Sequence, residues 1–203
     1  MSRLTNDEVR DLHVVADEIF ETWGERGHHV GVALETDSDF RTTEIPRSAL
    51  SRSIVKSAFV RGARKASIWY EPGPGGSHEL HSTSADVEHV FRLLKAKIKD
   101  EDYVIPVKDD AMLTSLEVTL LGRQERWVFA YTMTGDDIGE IFVAEVIGVV
   151  EGSPGRLILG PRTVLGTLGA PPTGRGFVGE DEDLEWFDDD LGEEDGGFMA
   201  GGA

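Results

Sequence analysis

Between His78 and His89 the chain gathers the residue types that ligate metals and move protons: three histidines (His78, His81 and His89) with Asp86 and Glu88 among them. The spacing does not close a site. In His78-Glu79-Leu80-His81 only two residues separate the histidines, and the stretch reads as a strand, so it is not the helical His-Glu-x-x-His of zinc proteases. On a strand His78 and His81 face opposite ways. His13 falls in a helical apolar stripe and His28-His29 at a predicted strand start, so no metal site is assigned.

Other chemistries lack their patterns too. The loop Pro72-Gly73-Pro74-Gly75-Gly76 has no Lys-Ser/Thr pair after it and joins two predicted strands, which makes it a hairpin connection rather than a phosphate cradle. Asp109-Asp110 and Asp136-Asp137 fall in predicted turns, where aspartate bonds its own backbone. No Gly-x-Ser-x-Gly elbow occurs, and the absence of cysteine removes thiol nucleophiles, disulfides and thiolate metal sites. The reading is therefore of a non-enzymatic protein without catalytic residues, metal or cofactor. An enzyme whose site is built from Asp86, Glu88 and the nearby histidines is the alternative.

Binding residues stand out more clearly. From Arg41 to Lys65 there are seven basic residues and one acid, Glu44, in a chain of net charge −18. On a helix Arg52, Lys56, Arg61, Arg64 and Lys65 flank an apolar stripe, and Lys95, Lys97 and Lys99 follow on a third predicted helix. If both wet faces point one way, they can neutralise several phosphates of a nucleic acid. Trp127, Phe129 and Tyr131, with Met133, share one face of a predicted strand. Such a row is either a platform for unpaired bases, as in single-stranded nucleic acid, or core beneath the helices.

The last stretch is of another kind. Glu180 to Ala203 holds 11 acidic residues and no basic one, which leaves the rest of the chain 27 acidic against 20 basic residues, a net charge of only −7. The segment 179–203 reads as a disordered acidic tail, since it cannot bury enough surface to fold alone. Leu184, Trp186, Phe187 and Leu191 nevertheless sit among its carboxylates, and such apolar anchors suit docking to a protein partner or back onto the body. In composition this cluster is similar to the acidic, aromatic-bearing C-terminal tails of single-stranded-DNA-binding proteins, which compete for a basic groove and recruit partners. It departs from them in that Gly196-Gly197-Phe198-Met199 follow.

The elements that hold these residues read as one α+β domain, 1–178, helix-rich over 1–100 and β-rich over 101–170. A capping box, Thr5 with Glu8, opens a helix whose apolar stripe runs to Trp23 and stops at Gly24 and Gly27. Val30, Val32 and Leu34 suggest a strand, with a second from Phe40 to Ile45, and Pro46 starts a second helix. Strands are expected at Ser67–Glu71 and Ser77–Ser82, and a third helix, capped by Ser84, over Val87–Ile98. Strands are expected at Tyr103–Val107, Thr114–Leu121, Glu125–Thr134 and Glu140–Glu151, the three long neighbours suggesting an antiparallel β-meander packed with about three helices, and shorter ones follow at Arg156–Leu159 and Thr163–Leu168.

The functional expectation is a cytoplasmic binding protein with a regulatory or recruiting tail. Its expected partners are a protein through the tail and single-stranded nucleic acid through the basic helix, with no membrane. The alternative is an assembly subunit of a homo-oligomer, whose long antiparallel strands offer edges for pairing.

Overall fold

Thr5 begins the first helix as expected: its hydroxyl accepts the Glu8 amide at 3.2 Å, and its own amide donates to the Glu8 carboxylate at 2.7 Å. Such a cap contributes about 0.5–2 kcal/mol. The computed structural model describes residues 4–73, 76–84, 86–99, 102–107, 118–119, 122–150 and 155–169. The 179–203 segment, with Leu184, Trp186, Phe187 and Leu191, lies outside the described residues, as does most of the expected strand at Thr114–Leu121.

Three α-helices come first: α1 (Asn6–Arg26), α2 (His28–Thr36) and, after a 3-10 turn at Ser38–Arg41, α3 (Ile45–Lys65). The strands follow as β1 (Trp69–Gly73), β2 (Ser77–Ser84), β3 (Val87–Lys95), β4 (Lys97–Lys99), β5 (Asp102–Val104), β6 (Pro106–Val107), β7 (Val118–Thr119), β8 (Gly122–Thr134), β9 (Asp137–Val150) and β10 (Gly155–Thr167). One sheet runs in the order β1-β2-β3-β8-β9-β10-β6, with β7 paired to β8, while β4 and β5 form a separate ribbon. The fold is α+β and its pairing is antiparallel except between β3 and β8.

The segment expected as a strand around Val30–Leu34 is helix α2. Gly27 keeps right-handed helical angles (φ −58, ψ −35) and bonds Trp23 through its amide, so the chain turns from one helix into the next without extending. Val30 and Leu34 are the buried pair, and that i, i+4 spacing satisfies a helix as well as it does an alternating strand. The second expected strand, Phe40–Ile45, is likewise the 3-10 turn and bends leading into α3.

The third expected helix is strand β3, paired in parallel with β8 from Val87↔Arg123 to Lys95↔Tyr131. Helical spacing at Val87, Val90, Phe91 and Leu94 misleads here because the strand buries side chains on both faces, which erases the alternation a half-buried strand would show. The link from β3 to β8 is long, as a parallel pair requires. The two short strands expected after residue 155 are one, β10, which register shifts carry past Pro161.

Two apolar clusters flank the sheet. On one face Leu12, Val15, Ala16, Ile19 and Trp23 of α1 join Val55, Ala58 and Phe59 of α3 over Leu80, Phe91, Phe129, Ile141 and Leu165 of the strands. On the other, Ala96, Tyr103 and Ile105 pack against Val128, Ala130, Phe142 and Leu157. No described helix is long and apolar enough to cross a membrane.

The helices meet at Gly62 of α3, where an added Cβ would stand 2.8 Å from the Cα of Val15. Gly24 of α1 has open space at the same test. Gly24→Ala is therefore expected to raise stability by about 1 kcal/mol through helix propensity. Gly62→Ala is expected to lower it, because overpacking of about 1–3 kcal/mol outweighs that gain. Urea unfolding of both variants checks the pair of signs.

Candidate functional site

The aromatic stripe on β8 faces the helices. Trp127 is 6%, Phe129 0% and Tyr131 3% exposed, and Phe129 meets Phe59 of α3 edge to face with ring centroids 5.1 Å apart. Stacking requires an open ring face, so the base platform considered at Trp127, Phe129 and Tyr131 is corrected to core. Burial raises the Tyr131 phenol above its ordinary value, with the nearby Arg52 opposing it.

The basic helix α3 is divided by what lies opposite each cation. Glu18 of α1, itself buried, takes Arg61 Nε at 2.9 Å and Lys65 Nζ at 2.6 Å. Those two cations fasten α3 to α1. Arg47 at the helix start pairs with Asp136 in the β8–β9 turn. Arg52, Lys56 and Arg64 are exposed, and among the described residues none of them has a carboxylate within 4.0 Å.

Lys95 joins them from the sheet. As the last residue of β3 it lies on the helix side, in register with Tyr131. Its amine is held below its ordinary value first by burial and then by the charges of Lys97 and Arg52, with Glu44 pulling the other way. Lys56 stands on the same side near His78, whose imidazole is lowered by burial and then by that ammonium. His78 Nδ1 and the Tyr70 hydroxyl are hydrogen-bonded at 2.7 Å. Arg52, Lys56 and Lys95 thus make one positive surface where α3 lies over the end of β3, with Lys97 exposed just beyond.

Beside that surface is a cleft of about 460 Å³ between the α1–α2 elbow, the start of α3 and the β8–β9 turn, lined among others by Trp23, His28, Arg47, Ser51, Lys95 and Asp137. None of His78, His81, His89, Asp86 or Glu88 lines it. Those residues occupy separate places. His81 Nδ1 lies 2.8 Å from Glu88 on the sheet face turned away from the helices, where Glu88 also accepts from Gln124 at 2.9 Å. Burial would raise the Glu88 carboxyl, but these bonds and the charges of His81 and Arg126 hold it below its ordinary value. Asp86 is in the β2–β3 turn at φ 71, a left-handed conformation that aspartate tolerates. No cluster of metal-ligating side chains occurs among the described residues.

His89 makes a contact that local sequence does not reveal. It is 1% exposed, with Nδ1 2.6 Å from Glu8 on α1 and Nε2 3.5 Å from Glu125 on β8, both carboxylates being buried. This group pins the start of α1 to the sheet, and Glu8 and His89 lie 81 positions apart in the chain. No protein family, curated protein or solved structure matches this chain.

Burial alone would raise the Glu8 carboxyl, but hydrogen bonds from His89, the Thr5 amide and hydroxyl, and Ser82 outweigh it and hold it below its ordinary value. The carboxylate's stabilisation is therefore complete above the unfolded value, about 4.3, and is lost as pH falls through the lower folded one. Glu8→Gln is expected to cost about 1–3 kcal/mol at neutral pH, a deficit that narrows below about pH 4. Urea unfolding across that range tests this, and a deficit constant with pH would contradict it.

Proposed function

We propose that the chain is a non-enzymatic binding protein whose α3–β3 surface takes up an extended polyanion, with single-stranded nucleic acid as the ligand class. Its acidic, aromatic-bearing segment 180–203 regulates that surface or recruits a protein partner. The observation that carries this reading is the grouping of Arg52, Lys56 and Lys95 on one surface without a carboxylate within 4.0 Å among the described residues, in a chain of net charge −18. With the aromatic row in the core, recognition rests on phosphate contacts and is independent of base sequence.

Binding of a fluorescent single-stranded oligonucleotide tests the proposal. In the chain lacking 180–203, three cations neutralising phosphates give a slope of about −2 for log affinity against log salt, at roughly −0.7 per contact. Arg52→Glu with Lys56→Glu abolishes most of the binding. Deletion of 180–203, which removes no described element, raises affinity and steepens the salt dependence. No binding in either form of the chain would remove the reading.

A second reading, an assembly subunit, draws on Ile147, Val150, Ile158 and Val164, all exposed on β9 and β10. Pro161 interrupts the outer edge of β10, so association there would go through side chains rather than an extended sheet. Light scattering at high concentration decides it: a mass above one chain favours assembly, and a strict monomer ends it.

A further inference from the structure

We infer that the resting occupant of the α3–β3 surface is the chain's own segment Glu180–Leu191, laid along α3 over Ile45, Ala49, Arg52 and Lys56, and that an external polyanion binds by displacing it. This rests on the reading of that surface as a polyanion site.

Charge selects the surface. Glu180–Leu191 carries eight carboxylates and no cation. Elsewhere on the body the clustered cations already face carboxylates: Arg61 and Lys65 at Glu18, Arg47 at Asp136, and Arg92 and Arg126 each 3.8 Å from the buried Glu79 on the opposite sheet face. A polyanion laid on those would compete with an internal partner. Arg52, Lys56 and Lys95 have no carboxylate within 4.0 Å among the described residues, so there it displaces no internal partner.

The surface also suits the apolar residues of the segment. Ile45, Ala49, Arg52 and Lys56 follow i, i+4, i+7, i+11 spacing and so form one face of α3, all of it exposed, with Ile45 at 74%. An uncovered isoleucine at the head of a basic stripe gives Leu184, Trp186 or Phe187 an apolar seat while their neighbouring carboxylates meet Arg52 and Lys56.

Reach is assured by the register. Lys95 pairs with Tyr131, Tyr131 with Ile141 and Ile141 with Gly166, so Lys95 and the end of β10 lie in one row across the sheet. Three strand spacings separate them, about 15 Å. Ten residues lie between Gly169, the last described, and Glu180, and ten residues span up to roughly 35 Å when extended. A tether of that length holds the segment at an effective concentration in the millimolar range, so that even weak contacts keep it docked.

The chain's lack of cysteine makes the test clean. A spin label is placed on Asp188→Cys in the full chain, and its broadening of amide signals is read by NMR. The signals of Ala49, Arg52, Ser53 and Lys56 are expected to lose most of their intensity at low salt, while those of Ile147 and Ile158 at the far end of the sheet keep theirs. Salt near 0.5 M, where screening is short-ranged, or Arg52→Glu with Lys56→Glu restores the lost signals.

Broadening that is absent, or spread evenly over the body, overturns the proposal. Equal broadening in a mixture of spin-labelled unenriched chain with unlabelled nitrogen-15 chain also overturns it, since the segment would then sit on a second copy. Adding a single-stranded oligonucleotide separates the two readings. Displacement supports both, docking without oligonucleotide binding overturns only the nucleic-acid reading, and oligonucleotide binding without docking overturns only the inference made here.

Discussion

Phe59 of α3 against Phe129 of β8 is the centre of the contact on which the rest of the molecule depends: α1 and α3 lying across one face of the sheet. Leu12, Val15, Ile19 and Val55 extend it on the helix side, and Phe91, Trp127, Ile141 and Leu165 on the strand side. Burying side chains of this size contributes about 1.5–3 kcal/mol each, far more than any single ion pair at the surface. Once that face is covered, α3 can present its cations only along its outer side and at its ends.

The distribution of charge follows from that packing. Where the helices are closest, at Gly62 and Val15, Glu18 is near enough to α3 to take Arg61 and Lys65. At the other end of α3 no acid of α1 stands opposite Arg52 or Lys56 within 4.0 Å, and Lys95 arrives from the sheet with its own positive charge. The cations of α3 are thus of two kinds: Arg47, Arg61 and Lys65 are joined to carboxylates of the body, while Arg52, Lys56 and Arg64 have none within 4.0 Å among the described residues. The histidine chemistry suggested by the 78–89 segment is dispersed by the same architecture. Strand alternation sends His81 to Glu88 on one face, while His89 is held between Glu8 and Glu125 on the other.

Elements whose signals are local were legible in the sequence. The Thr5–Glu8 box marks a helix start through bonds made within a turn, Pro46 marks another through its fixed φ, and the Gly135-Asp136-Asp137 connection marks the β8–β9 hairpin. Where two periodicities fit the same residues, the sequence is ambiguous. Val30 and Leu34 serve α2 as readily as a strand, and β3, buried on both faces, has the apolar density of a helix. The parallel pairing of β3 with β8 leaves no local mark at all. For the site, the cations of α3 could be read directly, but which of them are spent on Glu18 could not. The alternation of Trp127, Phe129 and Tyr131 gave the side they share and not what covers it.

The covering of that stripe is the central claim, and exchange of the tryptophan indole N–H protons with deuterated water tests it most directly. Trp127 is buried beneath the helices, whereas Trp69 on the edge strand is 68% exposed. The account predicts that the Trp127 indole proton persists long after that of Trp69 has exchanged, with assignments made by single Trp→Phe substitutions. Exchange of both at the same fast rate would mean that the stripe is open to solvent, and the placing of the proposed binding surface on α3 would be contradicted.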